Sequence, residues 1–320
     1  MRRRYGRELS VAVSIALLAL FLAFTVPGYF SAENLSDMFL ANMPVLLIAL
    51  GMNMVILTGQ IDISVGSLFA ICGILAGAFA KMGMPVLVAG LGAVVAGALM
   101  GAINGALVAW MRIPSIVVTL ATMVALRDGL RWATQGAWVS GLPDGFQWLG
   151  LAQDSYPYLM AAAAILFTAG ISWGLMNLRA GRAVYATGSN AEAARLAGID
   201  ANGVTFSVFV ITGILTGIAA VLNSVRFNQI PANAGLGMEM KVIAAVVVGG
   251  TAITGGSGST AGTVLGVILL GAIAPALTFL GVSAYWERAL QGAIILAAIV
   301  IEVLRQRGEK RVALARVTVE

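Results

Sequence analysis

Apolar runs long enough to cross a lipid bilayer fill most of this chain, and they leave it few ways to fold. A helix needs about 20 mostly apolar residues to cross the hydrocarbon core, where every backbone polar group must be bonded internally. The sequence predicts such spans at residues 10–26, 39–58, 65–80, 85–111, 115–126, 158–178, 204–223, 241–254, 261–282 and 288–304. The expected fold is an all-α integral membrane protein with about ten transmembrane helices in one domain, residues 1–320. The 85–111 run is overlong and suits a tilted helix, whereas 115–126 is short enough to be re-entrant. Composition points the same way: 60% of the residues are apolar and 10% charged, against about a quarter charged in a soluble domain.

The basic residues set the orientation. With an even number of spans both termini share one side. That side collects Arg2, Arg3, Arg4, Arg7, Arg112, Arg179, Arg182, Arg195 and the basic residues of the 305–320 tail. Lys and Arg accumulate on the cytoplasmic side, so both termini are expected there. The arginine-led start resembles a signal peptide, but its apolar run is longer than the usual 7–15 residues and is read as the first span. Topology also accounts for the net charge of +5, and no nucleic-acid partner is expected. The long outer connection, residues 127–157, carries Trp132, Trp138, Trp148 and Tyr156. Such rings are expected at headgroup level.

Enzyme chemistry finds little to work with. The chain contains no histidine and a single cysteine, Cys72. The commonest general base and the usual metal clusters are therefore missing, and no metal or cofactor is expected. None of the three lysines, Lys81, Lys241 and Lys310, follows a glycine. A P-loop needs Gly-Lys at the nucleotide phosphates, so any ATP must be hydrolysed by another polypeptide.

Two segments look alike. Ile63, Ser64, Gly66 and Ser67 stand opposite Ile253, Thr254, Gly256 and Ser257 at a constant offset, each where an apolar run breaks. Glycine-interrupted spans in matching places are a mark of transporters built from internal repeats, so a weak repeat is expected. Four-residue glycine spacing (Gly73 and Gly77; Gly97, Gly101 and Gly105; Gly213 and Gly217) predicts closely approaching helices. Ionisable or polar residues are candidates for the pathway or its gates: Asp62, Ser64 and Ser67 at the first break, Asn104 mid-span, and Glu239 and Lys241 at the outer start of the eighth span. Asp62 is expected in a short turn at the cytoplasmic end, where water relieves the cost of its charge. The cytoplasmic loop 179–202 predicts a short helix over 191–197, capped by Ser189 or Asn190 and ended by Gly198.

Five stretches resemble the ribose-type sugar permeases of bacterial ATP-binding-cassette importers. The first two are residues 56–67 (ILTGQIDISVGS) and 113–120 (IPSIVVTL). The third is Gly181-Arg182-Ala183-Val184-Tyr185-Ala186-Thr187-Gly188, followed by residues 193–199 (AARLAGI). The last is 237–241 (GMEMK) with 248–251 (VGGT) after it. Residues 107–110 (LVAW) and 125–132 (ALRDGLRW) are most similar to the autoinducer-2 and rhamnose branch. The resemblance implies a multi-pass inner-membrane subunit that pairs with an identical or sister permease. Cytoplasmic ATPases would bind it from inside, and a periplasmic binding protein would deliver a monosaccharide-like solute (autoinducer-2, rhamnose, ribose or similar). It also implies that Ser189, Asn190, Glu192, Ala193, Ala194, Arg195 and Gly198 form the coupling helix that meets the ATPase. Residues 127–157 and 223–239 would receive the binding protein. An ion-gradient-driven transporter or channel is the alternative, although such proteins place ionisable relays inside their spans.

Overall fold

The computed structural model describes residues 2–283, 285–293, 296–297 and 300, with side chains from Glu8 onward. It is helical almost throughout. In chain order the helices are α1 (Arg2–Thr25), α2 (Ala32–Leu57), α3 (Val65–Lys81), α4 (Val86–Ala109), α5 (Ser115–Thr134), α6 (Tyr156–Asn177), α7 (Arg179–Ser189), α8 (Ala191–Leu196), α9 (Ala201–Ser224), α10 (Met238–Val248) and α11 (Thr260–Phe279). Residues 285–293 are helical as well. Two short strands, β1 (Val139–Ser140) and β2 (Gln229–Ile230), pair antiparallel and tie together the connections after α5 and α9.

Six helical segments among the described residues are long and apolar enough to cross a membrane: Glu8–Thr25, Ala32–Leu57, Val86–Ala109, Gln153–Asn177, Ala201–Ser224 and Thr260–Phe279. The overlong 85–111 run resolves into α4, whose 24 residues extend about 36 Å, a length that a tilted helix accommodates. Two expected spans need correction. The 115–126 segment is no short re-entrant piece, because α5 continues through Arg127, Asp128 and Arg131 to Thr134. Arg127 is nevertheless buried, its Nη1 donating to the Ala234 carbonyl at 2.8 Å, so its charge faces protein. The 241–254 span is a half-helix. α10 stops at Val248, where Gly250 turns left-handed at φ +97°. At about 16 Å, α10 reaches only partway across a bilayer. The 288–304 span lies partly outside the described residues, and the 305–320 tail lies wholly outside them.

Helix ends follow local chemistry. Asn190, Asp200 and Ser259 cap α8, α9 and α11 by accepting from amides of the first turn. Gly59 (φ +77°) closes α2 and Gly198 (φ +80°) closes α8. The core forms around α9 and the second half of α2, where Leu47, Ile48, Leu50, Met52 and Phe209 lose all exposure.

The glycine spacing has its expected result on α4 and α9. A methyl on Gly97 would meet the Gly213 carbonyl oxygen, and one on Gly101 the Phe209 carbonyl oxygen. Without Cβ atoms the two backbones touch directly, which supplies the close packing that lipid cannot drive hydrophobically. Gly73 lies against Ser224 and Ile230, so α3 packs beside the end of α9 in the same way.

The expected pairing of the two similar segments is not kept in register, although each lies at a helix break. Both α2–α3 and α10–α11 are helix–break–helix units. Gly66 and Ser67 lie in the first turn of α3, whereas Gly256 and Ser257 lie in the loop before α11, so the paired residues are not equivalent. The second break is longer, which a fixed offset does not allow for. The aromatic connection divides too. Trp132 and Trp138 are exposed, whereas Tyr156 is wholly buried, with Trp148 edge-on at 5.1 Å and its own hydroxyl donating to the Leu222 carbonyl.

Candidate functional site

The expected coupling segment is two helices. α7 is amphipathic and packs Gly181, Val184 and Thr187 inward. Ser189 ends α7, and Asn190 alone caps α8, its Oδ1 accepting from the amides of Glu192 and Ala193 at 3.0 Å each. Ala194 is the buried residue of α8, while Glu192, Ala193 and Arg195 are exposed. Leu196, which carries no motif signal, is 87% exposed.

Behind this projection three chain segments close on one another. The Gly256 amide donates to the Leu57 carbonyl at 2.9 Å. A methyl on Gly188 would overlap the same Leu57 oxygen, one on Gly255 would stand 2.8 Å from the Gly59 nitrogen, and one on Gly256 would stand 2.8 Å from Ser189 Cα. The Tyr185 hydroxyl donates to the Gly258 carbonyl at 3.1 Å. The Ser259 hydroxyl adds α1, through Glu8. Both helix breaks and the end of α7 thus meet at one close-packed junction.

The first break holds a polar network. Asp62 is buried completely, which corrects its expected place in an open turn. Its Oδ1 accepts from the Ser64 amide at 2.9 Å and from the Ser64 hydroxyl at 2.6 Å, and Asn104 Nδ2 donates to Ser64 Oγ at 2.8 Å. Three of the candidates therefore meet, two from the 56–67 stretch and one from α4. Asp62 Oδ2 and Asn104 Oδ1 have no hydrogen-bond partner. Ser67 stands apart, donating to the Met123 carbonyl at 2.9 Å. The backbone beside the network is held by α5: the Ile61 amide donates to Ser115 Oγ at 3.1 Å, and Thr119 Oγ1 donates to the Ile61 carbonyl at 3.3 Å.

Glu239 and Lys241 do not neutralise each other. Lys241 Nζ stands 3.4 Å from Glu287 Oε1. Glu239 Oε2 and Arg127 Nη2 both stand against the place where a Cβ on Gly66 would lie, and Glu239 Oε2 is buried without a hydrogen-bond partner. The contribution of Arg127 was hidden in the sequence because it sits in the polar end of α5, beyond the expected span. Among the described residues no three Cys, Asp or Glu side chains converge to hold a metal ion.

Comparison with known proteins agrees with this geometry. Residues 34–299 match the family described as branched-chain amino acid transport system / permease component. The chain is 36% identical over 311 residues to the autoinducer 2 import system permease protein LsrC of Escherichia coli (strain K12 / DH10B), covering 94% of this chain and 88% of the relative. The LsrC protein of Salmonella typhi is 35% identical over 316 residues, covering 97% and 88%. That of Shigella flexneri is 36% identical over 311 residues, covering 94% and 88%. The chain belongs to this permease family and is a membrane-spanning permease subunit of an ATP-binding-cassette importer.

Proposed function

We propose that this permease imports a small monosaccharide-like solute of the autoinducer-2 type, with rhamnose and ribose as the nearest alternatives. The observation that carries this reading is the 36% identity to an autoinducer 2 import permease along 94% of the chain. In this reading the chain crosses the inner membrane about ten times: α3, α5 and the last helical segment add to the six long helices, and the half-helix α10 completes a crossing together with the loop 249–259 that follows it. Both termini and the α7–α8 pair lie in the cytoplasm, on the side where the arginines collect. A second permease subunit, identical or sister, completes the pathway. A periplasmic binding protein delivers solute to the outer connections at residues 127–157 and 223–239.

ATP closure moves α8 through Ser189, Asn190, Glu192, Ala193, Ala194, Arg195 and Gly198, and the junction carries that motion to both helix breaks. Asp62, Ser64, Ser67 and Asn104 at the first break, with Glu239 and Lys241 at the head of α10, act as gates. The solute is chemically unchanged; the work appears as a shift between inward- and outward-open populations.

The test is uptake of labelled autoinducer-2, rhamnose and ribose by proteoliposomes holding the complete importer. Autoinducer-2 should accumulate with ATP, and uptake should fall with Glu192 and Arg195 both replaced by Ala. Uptake that survives ATP depletion overturns the ATP-driven reading, and uptake that favours an unrelated solute such as a branched-chain amino acid overturns the solute assignment. Unaltered uptake and ATPase stimulation in the double variant overturn the coupling assignment.

A further inference from the structure

A polar cavity of about 300 Å³ lies behind α8 on the arginine-rich face, and none of the roles above uses it. Its walls bring together Thr58 and Gln60 at the end of α2, Arg112 in the α4–α5 turn, Thr187 on α7, Arg195 on α8 and Asn202 in the first turn of α9.

Several features mark it as a receptor for an anion. Arg112 and Arg195 make no ion pair among the described residues. No carboxylate lines the cavity. Asp200, next to the lining residue Ala201, is occupied with capping α9, its Oδ1 accepting from the Gly203 amide at 3.0 Å. Thr187 is 5% exposed, and its Oγ1 has no hydrogen-bond partner. The other buried hydroxyls in the wall are already used, Thr58 by the Val55 carbonyl at 2.8 Å and Thr205 by the Ala201 carbonyl at 2.9 Å. A buried hydroxyl left without a partner is costly unless a ligand completes it. The positive end of α9 opens on the same space through Ala201 and Asn202.

We propose that this cavity binds a phosphate group, held between Arg112 and Arg195 with Thr187 Oγ1 as a further donor. Guanidinium groups match phosphate oxygens in geometry as well as charge. Two sources present this chemistry at a cytoplasmic membrane face, a phosphate-bearing solute and the headgroup of an anionic phospholipid. The exposed Trp110 and Met111 beside Arg112 keep the cavity at the edge of the apolar surface. A bound phosphate would tie α8 to the α4–α5 turn, so occupancy would bias the motion of the coupling helix. The proposal rests on the reading above only for orientation and coupling; binding is measured independently of solute.

The test measures the thermal stability of the assembled importer in detergent, in potassium phosphate against potassium chloride at matched ionic strength. In parallel, lipid retention is compared in phosphatidylglycerol and phosphatidylcholine nanodiscs. A ligand that binds only the folded state raises its melting temperature with concentration. Phosphate should do so, with Arg112→Gln weakening the response about tenfold and the isosteric Thr187→Val about threefold. A response to phosphate in detergent identifies a free anion. Retention of phosphatidylglycerol that Arg112→Gln abolishes, without a phosphate response, identifies the headgroup. The proposal is overturned if neither appears, or if both variants respond like the parent while melting normally in chloride. It is equally overturned if the isolated permease responds but the ATPase-bound importer does not, since the cavity would then be a socket for an acidic group of the ATPase.

Discussion

The two helix breaks solve one problem with opposite means. Each must turn the backbone between apolar helices without stranding its amides and carbonyls in a low-dielectric interior. The α2–α3 break does so with side chains, through Asp62, Ser64 and Asn104. The α10–α11 break does so largely by lacking side chains: Gly255 (φ +87°) and Gly256 (φ +73°) let its backbone press on Leu57, Gly59, Gly188 and Ser189. Polar side chains hold one break and bare backbone holds the other. The first should therefore be sensitive to deleting atoms and the second to adding them.

The largest effect should come from adding a methyl to the second break. Gly256→Ala places Cβ 2.8 Å from Ser189 Cα and 2.9 Å from its nitrogen, on a left-handed backbone. Overpacking and the left-handed penalty together amount to about 4 kcal/mol. Thermal unfolding in detergent should show a drop of many degrees, and ATP-driven uptake should vanish because Ser189 leads into α8. A melting temperature near the parent's would mean that this junction is looser than its geometry.

Deletion at the first break comes next. Asp62→Ala leaves the Ser64 amide and hydroxyl without their buried acceptor, a loss of roughly 3 kcal/mol. Asp62→Asn retains an acceptor oxygen and should lose clearly less. If both variants melt alike, the network does not hold the break, and Asp62 belongs to the pathway alone.

A side-chain bond that links the second break to α2 should matter less than either. Thr251 Oγ1 donates to Asn53 Oδ1 at 2.8 Å, with both residues buried. Thr251→Val keeps the shape and removes the donor, for a loss of about 2 kcal/mol. A larger loss than that of Asp62→Ala would reverse the contrast between the two breaks.

Sequence periodicity and composition made the long helices legible, because α1, α2, α4, α6, α9 and α11 each bury or expose apolar residues over their whole length. The cap of α8 was equally readable, since Asn190 and Gly198 act through amides only two or three residues away, or through their own backbone. Hydropathy could not show the half-helix α10. Its apolar run continues through Val246, Val247 and Val248 into small residues that score as membrane-compatible, while Gly250 turns the chain out of the helix. The burial of Asp62 was hidden for a related reason. Its cost is offset by Ser64 from two residues on and, through Ser64, by Asn104 from α4, and no local window contains both partners. Arg127 was missed because a buried arginine reads as the polar end of a span unless its acceptor, the Ala234 carbonyl in a distant loop, is known.

The smallest expected effect isolates packing from backbone strain. Gly198 and Gly256 share nearly the same left-handed φ, +80° and +73°, but a methyl on Gly198 meets nothing within 4 Å. Gly198→Ala therefore carries only the left-handed penalty, about 1 kcal/mol. Subtracting its change in stability from that of Gly256→Ala leaves the overlap with Ser189. If the two variants lose the same amount, strain alone explains both, and the contact between the second break and the end of α7 contributes nothing. If Gly198→Ala lowers uptake while barely changing the melting temperature, the orientation of α8 controls coupling separately from the stability of the junction beneath it.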